Sequence, residues 1–138
     1  MEESQTLREA SIQEIQLELL RRTQFNAMDG SRVVDGLRRH RDLWEAALLD
    51  RPGLVDYTRP RRLLMMGLLK LRDMAENYWN ADTLFVLTPS PETAAALMRV
   101  AEREEWGGMA RTIEDCDEIE RAVCTDGDKK GLLVIWWD

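Results

Sequence analysis

Thr83-Leu84-Phe85-Val86-Leu87-Thr88 is the stretch on which the fold class turns. It is a short run of β-formers, bounded by Asn80 and Asp82 before it and Pro89 after it. Both of its alternating sets are apolar, the pattern of a strand covered on both faces. A helix start follows at once: Ser90 is a cap, Pro91 suits the first helical position, and Glu92 puts an acid in the first turn. That helix runs to about Trp106 and stops at Gly107-Gly108.

Towards the C-terminus the alternation continues. Met109 to Glu114 reads as a weaker strand, because Arg111 and Thr112 interrupt its apolar pattern. Asp115 and Glu118 stand at capping-box spacing and open a helix that ends near Thr125. Asp126-Gly127-Asp128 turns the chain, and Gly131 to Trp137 is a final strand. Trp136 and Trp137 must point to opposite faces of it.

Towards the N-terminus the pattern is helical. Residues 6–28 carry Leu7, Ile12, Ile15, Leu19 and Leu20 at helical spacing, and Asp29-Gly30 breaks the run. Ser31 is a candidate cap for a second helix to about Leu49, with a stripe of Val33, Val34, Leu37, Arg41, Trp44, Ala47 and Leu48. Arg51-Pro52-Gly53 ends it, residues 54–59 form a loop, and Pro60 opens a third, nearly all-apolar helix to about Asn77. Its methionines, among them Met65, Met66 and Met74, read as core.

Strands alternating with helices predict parallel neighbours joined by right-handed crossovers. The expected class is therefore α/β: three N-terminal helices packed with a small, mainly parallel three-stranded β-α-β-α-β sheet. Residues 1–138 are expected to form a single compact domain, helical over 1–77 and β-α-β-α-β over 78–138. The simplest strand order puts 83–88 in the centre, 109–114 at one edge and 131–137 at the other.

A length of 138 residues fits one domain, and 44% apolar residues is too many for a disordered chain. No apolar run approaches the roughly 18 residues of a membrane span. The opening Met1-Glu2-Glu3-Ser4-Gln5 is acidic and polar, unlike a signal or transit peptide. Cys116 and Cys124 lie on one predicted helix, separated by about 12 Å of rise. That exceeds the limit of about 7 Å for a bridge, so both are expected to be reduced and the protein cytoplasmic.

The net charge of −7 is unevenly spread. Residues 21–72 hold twelve bases against six acids, and all but Lys70 of those bases are arginines. Residues 73–138 hold fifteen acids against six bases. The simpler reading pairs the basic middle with the acidic remainder, since an acidic chain is repelled by nucleic acid. The alternative turns the arginine forks towards a phosphate.

Few residues suggest chemistry. His40 is the only histidine, and it sits in Arg38-Arg39-His40-Arg41, where flanking positive charge disfavours protonation. No Gly-x-Ser-x-Gly, Walker or Gly-x-Gly-x-x-Gly pattern occurs. Neither cysteine has zinc-site spacing, and Glu114-Asp115-Cys116-Asp117-Glu118 does not match a calcium loop. These acids read as helix-start residues, so neither metal nor cofactor is expected.

Two functional readings remain. The first is a non-catalytic protein-interaction module that self-associates as a homodimer. A continuously apolar edge strand must be covered, so Val134, Ile135, Trp136 and Trp137 are the expected interface. The second is a small-ligand or nucleotide-binding domain. Its ligand would sit where a parallel strand ends and a helix begins, at Thr88, Ser90 and Thr93, with Arg38, Arg39, Arg61 and Arg62 as counter-ions.

Overall fold

A capped helix opens the chain described by the computed structural model, which covers residues 6–50 and 71–138. In α1 (Ile12–Arg21), the Ser11 side chain accepts from the Glu14 N–H. In α2 (Gly30–Arg39), the cap is Asp29, two positions earlier than Ser31, and it accepts from Arg32 N–H. The first strand, β1 (Ala46–Asp50), comes next, then α3 (Leu71–Ala75) and β2 (Thr83–Thr88). The order closes with α4 (Pro91–Arg103), β3 (Met109–Ile113), α5 (Cys116–Val123) and β4 (Gly131–Trp136). The predicted third helix lies outside the described residues except for its end, α3. None of the described helices is long and apolar enough to cross a membrane.

The α/β class holds, but the expected parallel three-stranded sheet does not. The sheet has four strands in the order β1-β2-β4-β3, and every neighbouring pair is antiparallel. Two corrections account for the difference.

The first concerns residues 44–50, expected to finish the second helix. The helix stops at Arg39, a single 3-10 turn spans Arg41–Leu43, and Trp44 is fully extended. Trp44 anchors this exit: its indole N–H donates to the Leu37 carbonyl at 2.8 Å, using one of the acceptors that a helix end leaves free. Arg41 stacks on the same ring, 3.9 Å from its centroid. Beyond that anchor, Ala47 and Leu49 are buried while Ala46 and Leu48 face outward. Trp44, Ala47 and Leu48 also satisfy helical spacing, and so short a run cannot separate the two periods.

The second correction moves the C-terminal strand from an edge to the interior. β2 and β3 both run antiparallel to β4, so they are parallel to each other, as a crossover through α4 requires. They are not neighbours, because β4 occupies the place between them. The apolar run Leu132–Ile135 suits that place: its residues are buried on both faces, with a strand on each side.

The helices divide the sheet into two unequal faces. On one, Ala47, Leu49, Leu84, Val86, Leu133 and Ile135 pack beneath α1, α2 and α4 in the main core. Trp137 joins them, fully buried, with its indole N–H on the Trp106 carbonyl at 2.9 Å. On the other face a smaller cluster gathers Ile113, Leu132 and Val134 under Ile119 of α5.

Candidate interaction surface

Register decides which side chains share the second face. One cross-strand row reads Leu48, Phe85, Val134, Arg111, and the next reads Asp50, Thr83, Trp136, Met109. A third row, Ala46, Leu87, Leu132, Ile113, ends beneath α5. Coverage by α5 is partial. Leu48 is 42% exposed and Met109 69%, while Phe85, Leu87 and Trp136 between them are half-buried. The result is a strip of apolar surface that reaches the outer strand β3.

The two sheet edges differ. At β1, the Gln13 side chain of α1 donates to the Ala47 carbonyl and accepts from the Ala47 N–H, both at 2.8 Å. One amide thus takes both outward groups of an edge residue, a means of closing an edge to other strands. No signal in the sequence marks Gln13 for this role. At β3, Met109, Ala110 and Arg111 are exposed.

The four residues expected at an interface fall on both sides of the sheet. Ile135 and Trp137 lie in the main core, fully buried. Val134 is nearly buried under α5, and Trp136 is partly exposed beside Met109. The alternation of Trp136 and Trp137 is as the sequence dictates.

The turn between β2 and α4 brings Thr88, Ser90 and Thr93 together, as expected. Their hydroxyls bind one another and the backbone. Ser90 Oγ accepts from Thr93 N–H at 3.1 Å, and Thr93 Oγ1 accepts from Ser90 N–H at 3.0 Å, a reciprocal capping box. Thr88, fully buried, donates from Oγ1 to the Ser90 and Gly131 carbonyls. The start of β4 presses on this turn so closely that a Cβ on Gly131 would lie 2.6 Å from the Ser90 oxygen. The expected counter-ions are elsewhere. Arg39 pairs with Glu104 at the far end of α4, whose 13 residues span about 20 Å. Arg38 is exposed on α2, and Arg61 and Arg62 lie outside the described residues.

Glu104 links α2 to the end of α4. Arg39 donates to its Oε1 at 2.6 Å, and His40 Nε2 lies 2.9 Å from its Oε2. Burial pushes the Glu104 carboxyl up, but its bonds to His40 and Arg39 outweigh that and hold it below the ordinary glutamate range. This is an internal pairing of basic middle with acidic remainder, as the simpler charge reading expects. Glu18 is likewise held low, chiefly by its hydrogen bond to Arg21.

Two other groupings were invisible in the sequence. Past α5 the left-handed Cys124 turns the chain back, so Cys116 Sγ and the carboxylates of Glu120 and Asp126 lie within 4.8 Å of one another. The thiol donates to Glu120 Oε1 at 3.5 Å, and burial and the adjacent carboxylates push its pKa up. The second is a hollow of about 310 Å³ between α1 on one side and α3 with the segment after it on the other, lined by Ile15, Leu19, Met74, Tyr78 and Trp79. Arg22 bridges its rim to Asn77 at 2.6 Å.

No family model, curated protein or solved structure matches this chain.

Proposed function

We propose that the chain is a non-catalytic protein-interaction module whose partner is a second copy of itself. The observation that carries this reading is the cross-strand pair Met109 and Trp136, apolar and accessible beside the outer strand of the sheet. Apolar surface that continues inward from an accessible pair of this kind is a feature of protein contacts. Aromatic and methionine side chains are also the types enriched where proteins meet.

In this reading Trp136 remains at the interface, joined by Met109 and Arg111, because Ile135 and Trp137 are buried in the main core and Val134 is buried under α5. The 88–93 turn has a structural use for each of its hydroxyls, and that supports the interaction reading over the ligand reading.

Sedimentation equilibrium at micromolar concentration tests the proposal. The expected species has twice the 16.0 kDa chain mass. Met109→Glu should shift it towards monomer that still melts cooperatively, because the side chain is 69% exposed and supports no core contact among the described residues. A wild-type chain that stays monomeric at these concentrations rejects the reading.

A further inference from the structure

Hydrogen-bond phase across the sheet identifies which backbone groups face outward on β3. The Trp137 N–H donates to the Asp82 carbonyl at 3.0 Å, in register with the β2–β4 ladder. Bonding pairs recur at every second residue of an antiparallel ladder. Gly131, Leu133 and Ile135 therefore bond towards β2, and Leu132, Val134 and Trp136 bond towards β3. Their β3 partners Ile113, Arg111 and Met109 turn inward to meet them. Ala110 and Thr112 are left with N–H and C=O pointing away from the sheet, and among the described residues no hydrogen bond occupies them. The same phase predicts that Ala47 faces outward on β1, where Gln13 is found to close it.

We infer that β3 pairs edge to edge with β3 of a second copy, antiparallel about a two-fold axis at Thr112, making one sheet continuous through both protomers. The inference rests on the self-association proposed above and names its surface and geometry. Charge selects the occupant. The strand and its exit read Met109-Ala110-Arg111-Thr112-Ile113-Glu114-Asp115, one base followed by two acids. Antiparallel pairing with itself brings the basic part of each strand towards the acidic exit of the other.

Charge and phase together also select the register. Outward groups must meet outward groups, so even-numbered residues pair with even-numbered ones. An axis at Arg111 would set two guanidiniums directly opposite, which is destabilising. An axis at Thr112 sets threonine against threonine, a favourable cross-strand pair, and places Arg111 opposite the partner copy's isoleucine at 113. The acidic exit of the other copy, Glu114 and the α5 cap Asp115, then follows directly after the residue opposite Arg111. Met109 and Trp136 lie next to the seam, so the apolar strips of the two copies become continuous across it.

Proline tests this without disturbing the protomer. The Ala110 N–H points out of the sheet, and proline is tolerated at such edge positions while denying a bond to any added strand. Sedimentation equilibrium of the full chain is the readout, beside a thermal melt of each variant. Wild type should be dimeric. Ala110→Pro should raise the dimer dissociation constant at least tenfold while the chain still melts cooperatively. Arg111→Glu, a change at an exposed side chain, should do the same by setting like charges across the seam. A monomeric wild type overturns both the self-association and this inference. A dimeric wild type with a folded, equally dimeric Ala110→Pro overturns the edge pairing alone. If Ala110→Pro does not fold, Arg111→Glu decides, and an unchanged dimer overturns the edge pairing.

Discussion

Replacing Gly36 by alanine sets two effects of opposite sign against each other, and the packing of α2 on α4 decides between them. Gly36 lies inside α2, where alanine is ordinarily favoured by about 1 kcal/mol. A Cβ at this position, however, would stand 2.6 Å from Cζ2 of Trp106, 2.8 Å from its Nε1 and 2.6 Å from Oε1 of Glu104. Carbon atoms pack at about 3.5–4.0 Å, so helix and ring must separate by about 1 Å. Trp106 is only 2% exposed and belongs to the main core, which leaves it little room to yield. Overpacking of a filled core costs about 1–3 kcal/mol. The balance is a net loss of about 1 kcal/mol. Urea unfolding followed by tryptophan fluorescence should show the midpoint falling by about 0.5 M at constant slope, taking a slope of about 2 kcal/mol/M. In a Trp106→Phe background, which removes the clashing part of the indole, the same substitution should cost less or stabilise. A Gly36→Ala protein more stable than wild type would refute the close packing of α2 on Trp106.

Ser90→Ala should lower stability by about 1 kcal/mol in urea unfolding, the usual cost of losing a helix cap; no loss would contradict the capping box. Trp44→Phe strips the donor from the Leu37 carbonyl and should cost about 1–3 kcal/mol in the same assay, the range for a buried polar group left unmade. Gln13→Ala reopens the outward groups of Ala47, so light scattering should report more concentration-dependent association than wild type. Acid should weaken the link between α2 and α4. The folded-state pKa of Glu104 lies below the ordinary 4.5, so its contribution is present above that value and is lost as pH falls through the lower one. The stability difference between wild type and Glu104→Gln should therefore narrow on acidification below 4.5, and a widening difference would oppose the assignment.

Local signals carried much of the secondary structure. Ser90-Pro91-Glu92 named a helix start because a cap, a ring-fixed φ and a dipole-complementing acid act within one turn of chain. Thr83–Thr88 named a strand, though only its Leu84 and Val86 face is fully covered while Phe85 and Leu87 stay half-buried, and the period of two placed Trp136 and Trp137 on opposite faces. What the sequence withheld was the partner of each strand. Alternating strands and helices suggest parallel neighbours, yet a crossover can skip a place, and only the folded sheet shows β4 filling it. The continuous apolar run that made residues 131–137 a troublesome edge is equally the mark of a central strand. Burial on both faces reads the same in either position, and neighbouring strands are contributed by distant parts of the chain. Residues 44–50 were ambiguous for a related reason, since so short a run fits both periods until Leu37 captures the Trp44 indole. The proposed interaction surface follows the same division. The sequence supplied Trp136 and the charge order of Arg111, Glu114 and Asp115 by itself. Tertiary structure alone decided that Gln13 closes β1 and that Ala110 and Thr112 face outward on β3, because which backbone groups remain free depends on every pairing already made.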